Sequence, residues 1–294
     1  MAGEIMEQAA GLLTYTKLTE LIITTSFSLL IFIIGFLINK KYDSIKEEKR
    51  LKTIKKYLLI ICNDLSNSID EQIIIYQSFG KKIIDLNNRD SSISFSSKIN
   101  TDHFEKVANT DLFKLFAEGK KNKDVKIVHY FNFLHFFNVI KFDSKYSKEH
   151  YEYYLDNLNR YESAFKENVD KIFRKHDSLI SLHIGSTEKK EDLFVSKFHH
   201  IVSNYRQIQD FSKIEIITNE LVLKVLEHCK DFINDPRSLD ILEFCLHSEH
   251  IVKELTNLRL LYSSFFLNHA EKMESENEKF KKAINYYKSE KYFN

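Results

Sequence analysis

The spacing of hydrophobic residues changes character along this chain, and each change marks an element. From Leu21 to Ile38 the sequence reads LIITTSFSLLIFIIGFLI, eighteen residues without a charge, thirteen of them Leu, Ile or Phe. Each of these favours insertion by about 0.3–0.6 kcal/mol near a bilayer centre, so together they contribute about 4–8 kcal/mol. At ~1.5 Å per residue the run covers about 27 Å, which predicts a transmembrane helix over 21–38. A cleaved signal peptide would carry a basic leader and a small-x-small cleavage site. Here Glu4, Glu7 and Glu20 stand against Lys17 alone, and Asn39-Lys40-Lys41 follows. The segment therefore reads as a retained anchor.

After Lys40 the pattern becomes amphipathic. Leu51, Ile54, Leu58, Ile61 and Leu65 alternate by three and four, and the apolar positions continue through Ile69, Ile73 and Tyr76. This spacing predicts that the helix leaves the bilayer and continues over 39–79 as a basic juxtamembrane element, with Gly80 as its stop. Asp85–Asn100, rich in Ser, Asn and Asp, reads as a loop. Thr101 and Asn109 read as N-caps of two short helices, the second stopping at Gly119. An aromatic helix over 123–142 and a long one over 148–176 come next. Gly185-Ser186 marks a boundary, further helices are expected at 188–211 and 214–233, and Asp235-Pro236 starts the last, which runs to about 288. Val125–Phe142 is not a second span, because Lys126, His129, Asn132, His135, Asn138 and Lys141 leave it no clean lipid face. The fold class is all-α: one N-terminal transmembrane helix, then a multi-helix cytosolic bundle whose main domain covers 101–294.

Charge sets the expected orientation. Eight basic residues lie between Lys40 and Lys56, against Asp43, Glu47 and Glu48. The positive flank stays inside, which places the first twenty residues outside the plasma (inner) membrane as a short tail and everything after Lys40 in the cytoplasm. Lys40, Lys41, Lys46, Lys49 and Arg50 are then the expected contacts to anionic lipid head groups, within the reach that screening allows.

The anchor also carries a pattern. At ~100° per residue, Lys17, Glu20, Thr24, Ser28, Gly35 and Asn39 fall within about a third of the circumference. Small and polar residues on one side of a membrane helix are what helix–helix packing in lipid uses. Thr24, Ser28, Gly35 and Asn39 therefore read as the packing face of a homo-oligomer, or as a pore lining with Ile31 as its constriction. The plainer alternative is that Thr and Ser bond their own backbone.

Composition removes other classes. Forty-three basic residues balance forty-two acidic ones, so net charge gives no argument for a nucleic-acid partner. Cys62, Cys229 and Cys245, odd in number and far apart, exclude a disulfide scaffold. Six isolated glycines and one proline hold no phosphate loop, so no cofactor is expected. His247 and His250 have helical spacing beside Cys245 and Glu243 but lack the order of a zinc protease, and they read as solvated. His199 and His200 are adjacent and diverge, as do His228 and Cys229. The Arg-then-His spacing of HEPN ribonucleases is missing at Arg160, Arg174, Arg206, Arg237 and Arg259. No catalytic, cofactor or metal residue is assigned. The expected function is a self-associating membrane effector or scaffold whose cytosolic domain receives a signal or a protein partner, the layout of bacterial anti-phage and abortive-infection proteins. A membrane-tethered nuclease or other enzyme, and a passive adaptor, are the alternatives.

Overall fold

The computed structural model describes residues 2–86, 92–97, 99, 101–117, 123–185, 192–208 and 213–289. The protein is all-α. Its elements are α1 (Ala2–Lys82), α2 (Asp102–Glu105), α3 (Asn109–Phe116), α4 (Lys123–Gly185), α5 (Leu193–Arg206), α6 (Ile214–Ile217), α7 (Leu223–Asp231) and α8 (Pro236–Ser289). A π-helical stretch, Thr218–Val222, joins α6 to α7. Among the described residues there is no strand.

Three long helices build the molecule. In α1, 81 residues without a break carry the 21–38 segment and its flanks in one rod of ~120 Å. The tail expected to precede the span is part of the same helix from Ala2 onward. The 63 residues of α4 and the 54 of α8 pack along its far half.

Paired contacts fix the directions. At the end nearest the apolar segment, Lys55 lies over the Tyr287 ring, and the Tyr287 hydroxyl donates to the carbonyls of Phe116 and Lys126. Further along, Ser66 donates to Asn277, and Phe79 packs edge-on against Phe266 and Tyr154. As α1 advances, α4 advances with it and α8 runs back. Beyond the end of α1 the antiparallel α4–α8 pair continues, through Glu162 against Arg259 and Lys175 against Asp240, into a lobe completed by α5, α6 and α7.

The predicted α1 stripe is the buried one. Leu58, Leu65, Ile69, Ile73 and Tyr76 are all core, joined by Cys62, Phe79 and Ile83. On α4, Tyr130, Phe133, Phe136, Phe137 and Ile140 are buried, and Phe280 stacks on Phe136 at 3.8 Å. The aromatic helix is thus core, as the polar residues on its other sides required. Among the described residues one helix, α1, is long and apolar enough to cross a membrane.

Four local expectations are corrected. Gly80 does not end α1. A Cβ there would lie 2.9 Å from Leu267 Cγ and 3.2 Å from the Ser263 carbonyl, so the glycine permits the α1–α8 approach inside the helix. The stop comes after Lys82, where Arg259 of α8, buried, donates to the carbonyls of Ile83 and Asp85. The helices expected at 123–142 and 148–176 are one, because residues 143–147 contain no breaker and their polar Asp143 and Ser147 point into the core. Thr101 makes no side-chain cap, and the cap of α3 is Ala108, not Asn109. The helix placed at 188–211 is shorter, with Asp192 accepting from the Val195 N–H as its cap. The Asp235-Pro236 start holds: the Asp235 carboxylate accepts from the Arg237 N–H at 2.9 Å. The stops expected at Gly119 and the start at Ser186 lie outside the described residues.

Gly80→Val should destabilise the bundle by about 1–3 kcal/mol through overpacking against Leu267 and Ser263. Gly35→Val, with nothing within 4 Å of its Cβ position, should leave bundle stability unchanged. Urea denaturation of the two variants in detergent checks the contrast.

Candidate functional site: the apolar anchor and its junction

From Ile23 to Lys46 every side chain is exposed within the single chain. Phe32 is 72% exposed and Phe27 65%, values fit for lipid and not for water. Of the stripe residues, Ser28 donates to the Thr24 carbonyl at 2.8 Å, the local bond that lets a hydroxyl sit in an apolar setting. Gly35 faces open space. Gly35 and Gly80 of α1 therefore differ: Gly80 is required by α8, whereas no neighbour within 4 Å in this chain requires Gly35.

The head-group residues divide. Lys40, Lys41, Lys46 and Lys49 lie along the exposed stretch. Arg50 is engaged by the protein itself: its guanidinium takes both oxygens of Asp111 on α3, at 2.8 and 3.0 Å, and both oxygens of Glu47, at 2.7 and 2.9 Å. Lys114 adds a second cation at 3.6 Å from Glu47. The Arg50 bonds hold both carboxyls below their ordinary values. This clamp is the first place where α1 meets the rest of the protein, and the sequence gives no sign of it because Asp111 lies 61 residues away.

Two polar clusters lie deeper. In the middle of the three-helix section, Ser147 donates to the Asp143 carbonyl at 2.7 Å, so the contact of 2.7 Å to His269 Nε2 is donated by the imidazole. Tyr76 of α1 closes the group, its phenol pushed up to about 12 by burial. Burial also moves Asp143 up and His269 down, so the neutral form of each is favoured. The arrangement brings Ser, His and Asp together, but Ser147 is fully buried and no substrate reaches it.

The second cluster joins α4 to α5. Asp177 accepts from His176 Nδ1 at 2.8 Å, and His176 Nε2 faces His199 Nδ1 at 3.1 Å. With the carboxylate an acceptor only, His176 carries its proton on Nδ1 and accepts from His199, which in turn accepts from Ser203 at 3.3 Å. Arg206 completes it with a bond to Asp177. Neither neighbour spacing nor motif revealed this pairing, since it needs two helices to meet. His247 and His250 are exposed while Cys245 is buried, so those three do not converge. Among the described residues no three His, Cys, Asp or Glu side chains gather as metal ligands would.

The buried histidines give a pH dependence. Burial holds His269, His228 and His176 below the ordinary 6.5. The unfolded chain then binds protons at a pH where the folded one does not, so stability is full above about 6.5 and falls as pH drops through the lower folded values. His269→Gln, which keeps an N–H for Ser147, should flatten that acid slope. Urea midpoints between pH 7.5 and 5 measure it.

In comparisons with known proteins, no family model, no curated protein and no solved structure matches this chain.

Proposed function

We propose that the protein is a single-pass membrane effector or scaffold that associates with itself through its anchor and presents the helical bundle to the cytoplasm. The observation that carries this reading is the unbroken passage of α1 from an exposed apolar segment into the core of the bundle. A cleavable or loosely linked anchor would not share one helix with the domain it holds.

The basic flank argues for the orientation, N-terminus outside and bundle inside. Lys40, Lys41, Lys46 and Lys49 meet anionic lipid, while Arg50 belongs to the clamp with Asp111. Thr24, Ser28, Gly35 and Asn39 form the face on which copies meet. The openness around Gly35, which nothing within the chain explains, supports this face. An abortive-infection or anti-phage role is the setting to which this layout points. The trigger is a ligand or a protein partner reaching the bundle.

Two measurements test the reading. A reporter fused after the last residue should behave as cytoplasmic and one at the N-terminus as external; the reverse pattern would overturn the orientation. Ser28→Leu and Gly35→Leu keep the segment apolar and should preserve insertion while abolishing crosslinked oligomers and any liposome leakage. Leu30→Val, on another side of the helix, is the matched control. Equal behaviour of all three in crosslinking would show that the anchor is passive.

A further inference from the structure

The lobe beyond the end of α1 holds a cleft of about 330 Å³ between α4, α5 and α6. That volume is within the range of about 300–1,000 Å³ usual for small-molecule sites. Its inner wall is apolar and aromatic: Phe165, Val169 and Tyr205 are buried, and Phe173 stands 6.0 Å from Tyr205, centroid to centroid. At that distance the two rings touch and form one aromatic wall, and such a wall favours a flat, unsaturated ligand laid against it.

The polar groups of the cleft are few and of two kinds. Arg206 is held in place, its guanidinium over the Phe173 ring at 5.4 Å and bonded to Asp177, which His176 orients in turn. The bond to Asp177 leaves further N–H donors of that guanidinium for another acceptor. Lys166 and Asp170 also line the cleft. They stand four residues apart on α4, a spacing at which Lys145–Glu149, Lys148–Glu152 and Glu167–Lys171 form ion pairs on this same helix. Lys166 and Asp170 form none among the described residues.

The backbone beside the cleft is unusual too. Its last lining residue, Ile217, is followed at once by the π-helical stretch Thr218–Val222. Such stretches make up well under ~1% of residues and are frequent at functional sites.

We infer that this cleft binds a planar aromatic molecule bearing an anionic group and a ring N–H, a nitrogen heteroaromatic acid. The ring lies against the aromatic wall, the anion meets Lys166 and the open edge of Arg206, and the N–H donates to Asp170. This site does not depend on self-association through the anchor, and its test reads binding alone.

The test is calorimetric titration of the full chain in detergent, with empty micelles as the blank. The probes are indole-3-acetate (ring, N–H and charge), 1-naphthaleneacetate (ring and charge without N–H) and acetate (charge alone). Saturable binding of one indole-3-acetate per chain is expected, with acetate giving none at the same concentration. Lys166→Glu, a surface change that breaks no ion pair, should weaken it by about tenfold or more. Val169→Trp should abolish it by filling the cleft. Asp170→Asn should reduce the preference for the indole over the naphthalene. Absence of saturable indole-3-acetate binding, equal binding of acetate, or full binding by Lys166→Glu would each overturn the site. Lys166→Glu decides the matter even if Val169→Trp does not fold.

Discussion

A peptide group inside a bilayer has no water to bond, so a chain that crosses one must satisfy every N–H and C=O along its own length. An α-helix meets that requirement, and α1, long and apolar enough to cross, continues well past its apolar segment. The ladder that serves 21–38 runs on through the lysines to Lys82 with no proline and, past Gly35, with one glycine, Gly80, where packing against α8 asks for it. A long helix is stiff on the scale of one turn, so the angular position of Ser28 about the axis fixes that of Leu58 and Tyr76. Everything packed on α1 is thereby oriented relative to the anchor. Arg50, with Glu47 and Asp111, ties α3 to the helix near the start of this packing.

The packing that receives α1 is asymmetric in a way that suits this task. The face toward α4 and α8 is dense with aromatic rings, and at Gly80 the backbones of α1 and α8 come as close as a missing side chain allows. Some of the polar groups that enter this core bond one another: Ser66 and Asn277 pair across α1 and α8, and Asn277 also reaches Asp70. Such bonds add little net energy, about 0.5–1.5 kcal/mol each, yet a slipped register would strand them unpaired at a larger cost. They set the axial alignment that greasy contacts alone leave loose. Gln72 does similar work for the loop after α1, its amide accepting from the Ser96 N–H and donating to the Ser94 carbonyl.

What periodicity could reveal was the helical class, the apolar span, the buried stripe of α1 and the start of α8 at Asp235-Pro236. All of these depend on residues within a turn or two of each other. The misplacements have a common cause. Gly80, Thr101 and Asn109 are residue types that favour helix ends, and the expected gap at 143–147 begins and ends on two more, Asp143 and Ser147. At Gly80 and Ser147 a partner from another helix overrides that preference: Leu267 needs the space of Gly80, and His269 bonds Ser147. The Arg50 clamp, the His176–His199 pair and the aromatic cleft were invisible for the same reason. Their members lie 61, 23 and about 40 residues apart and meet only through the fold.

The packing changes along the molecule. Near the apolar segment, α4 and α8 interlock through Tyr287, Phe280 and Phe133, and Lys55 of α1 lies over the Tyr287 ring. Beyond the end of α1 only α4 and α8 continue, and the shorter α5, α6 and α7 complete the lobe. There the regular ladder is broken once, in the π-helical stretch, where each carbonyl waits one residue longer for its donor. Thr218, bonded back to the Ile214 carbonyl at 2.7 Å, steadies that distortion. A π-stretch can return to α geometry by shifting one residue, which turns the following side chains by ~100°. Leu221, Val222 and Val225 of that segment are fully buried, so such a shift repacks the face that α7 lays on α8. Since α8 also packs along the bundle half of α1, the distal lobe and that half of α1 share a helix.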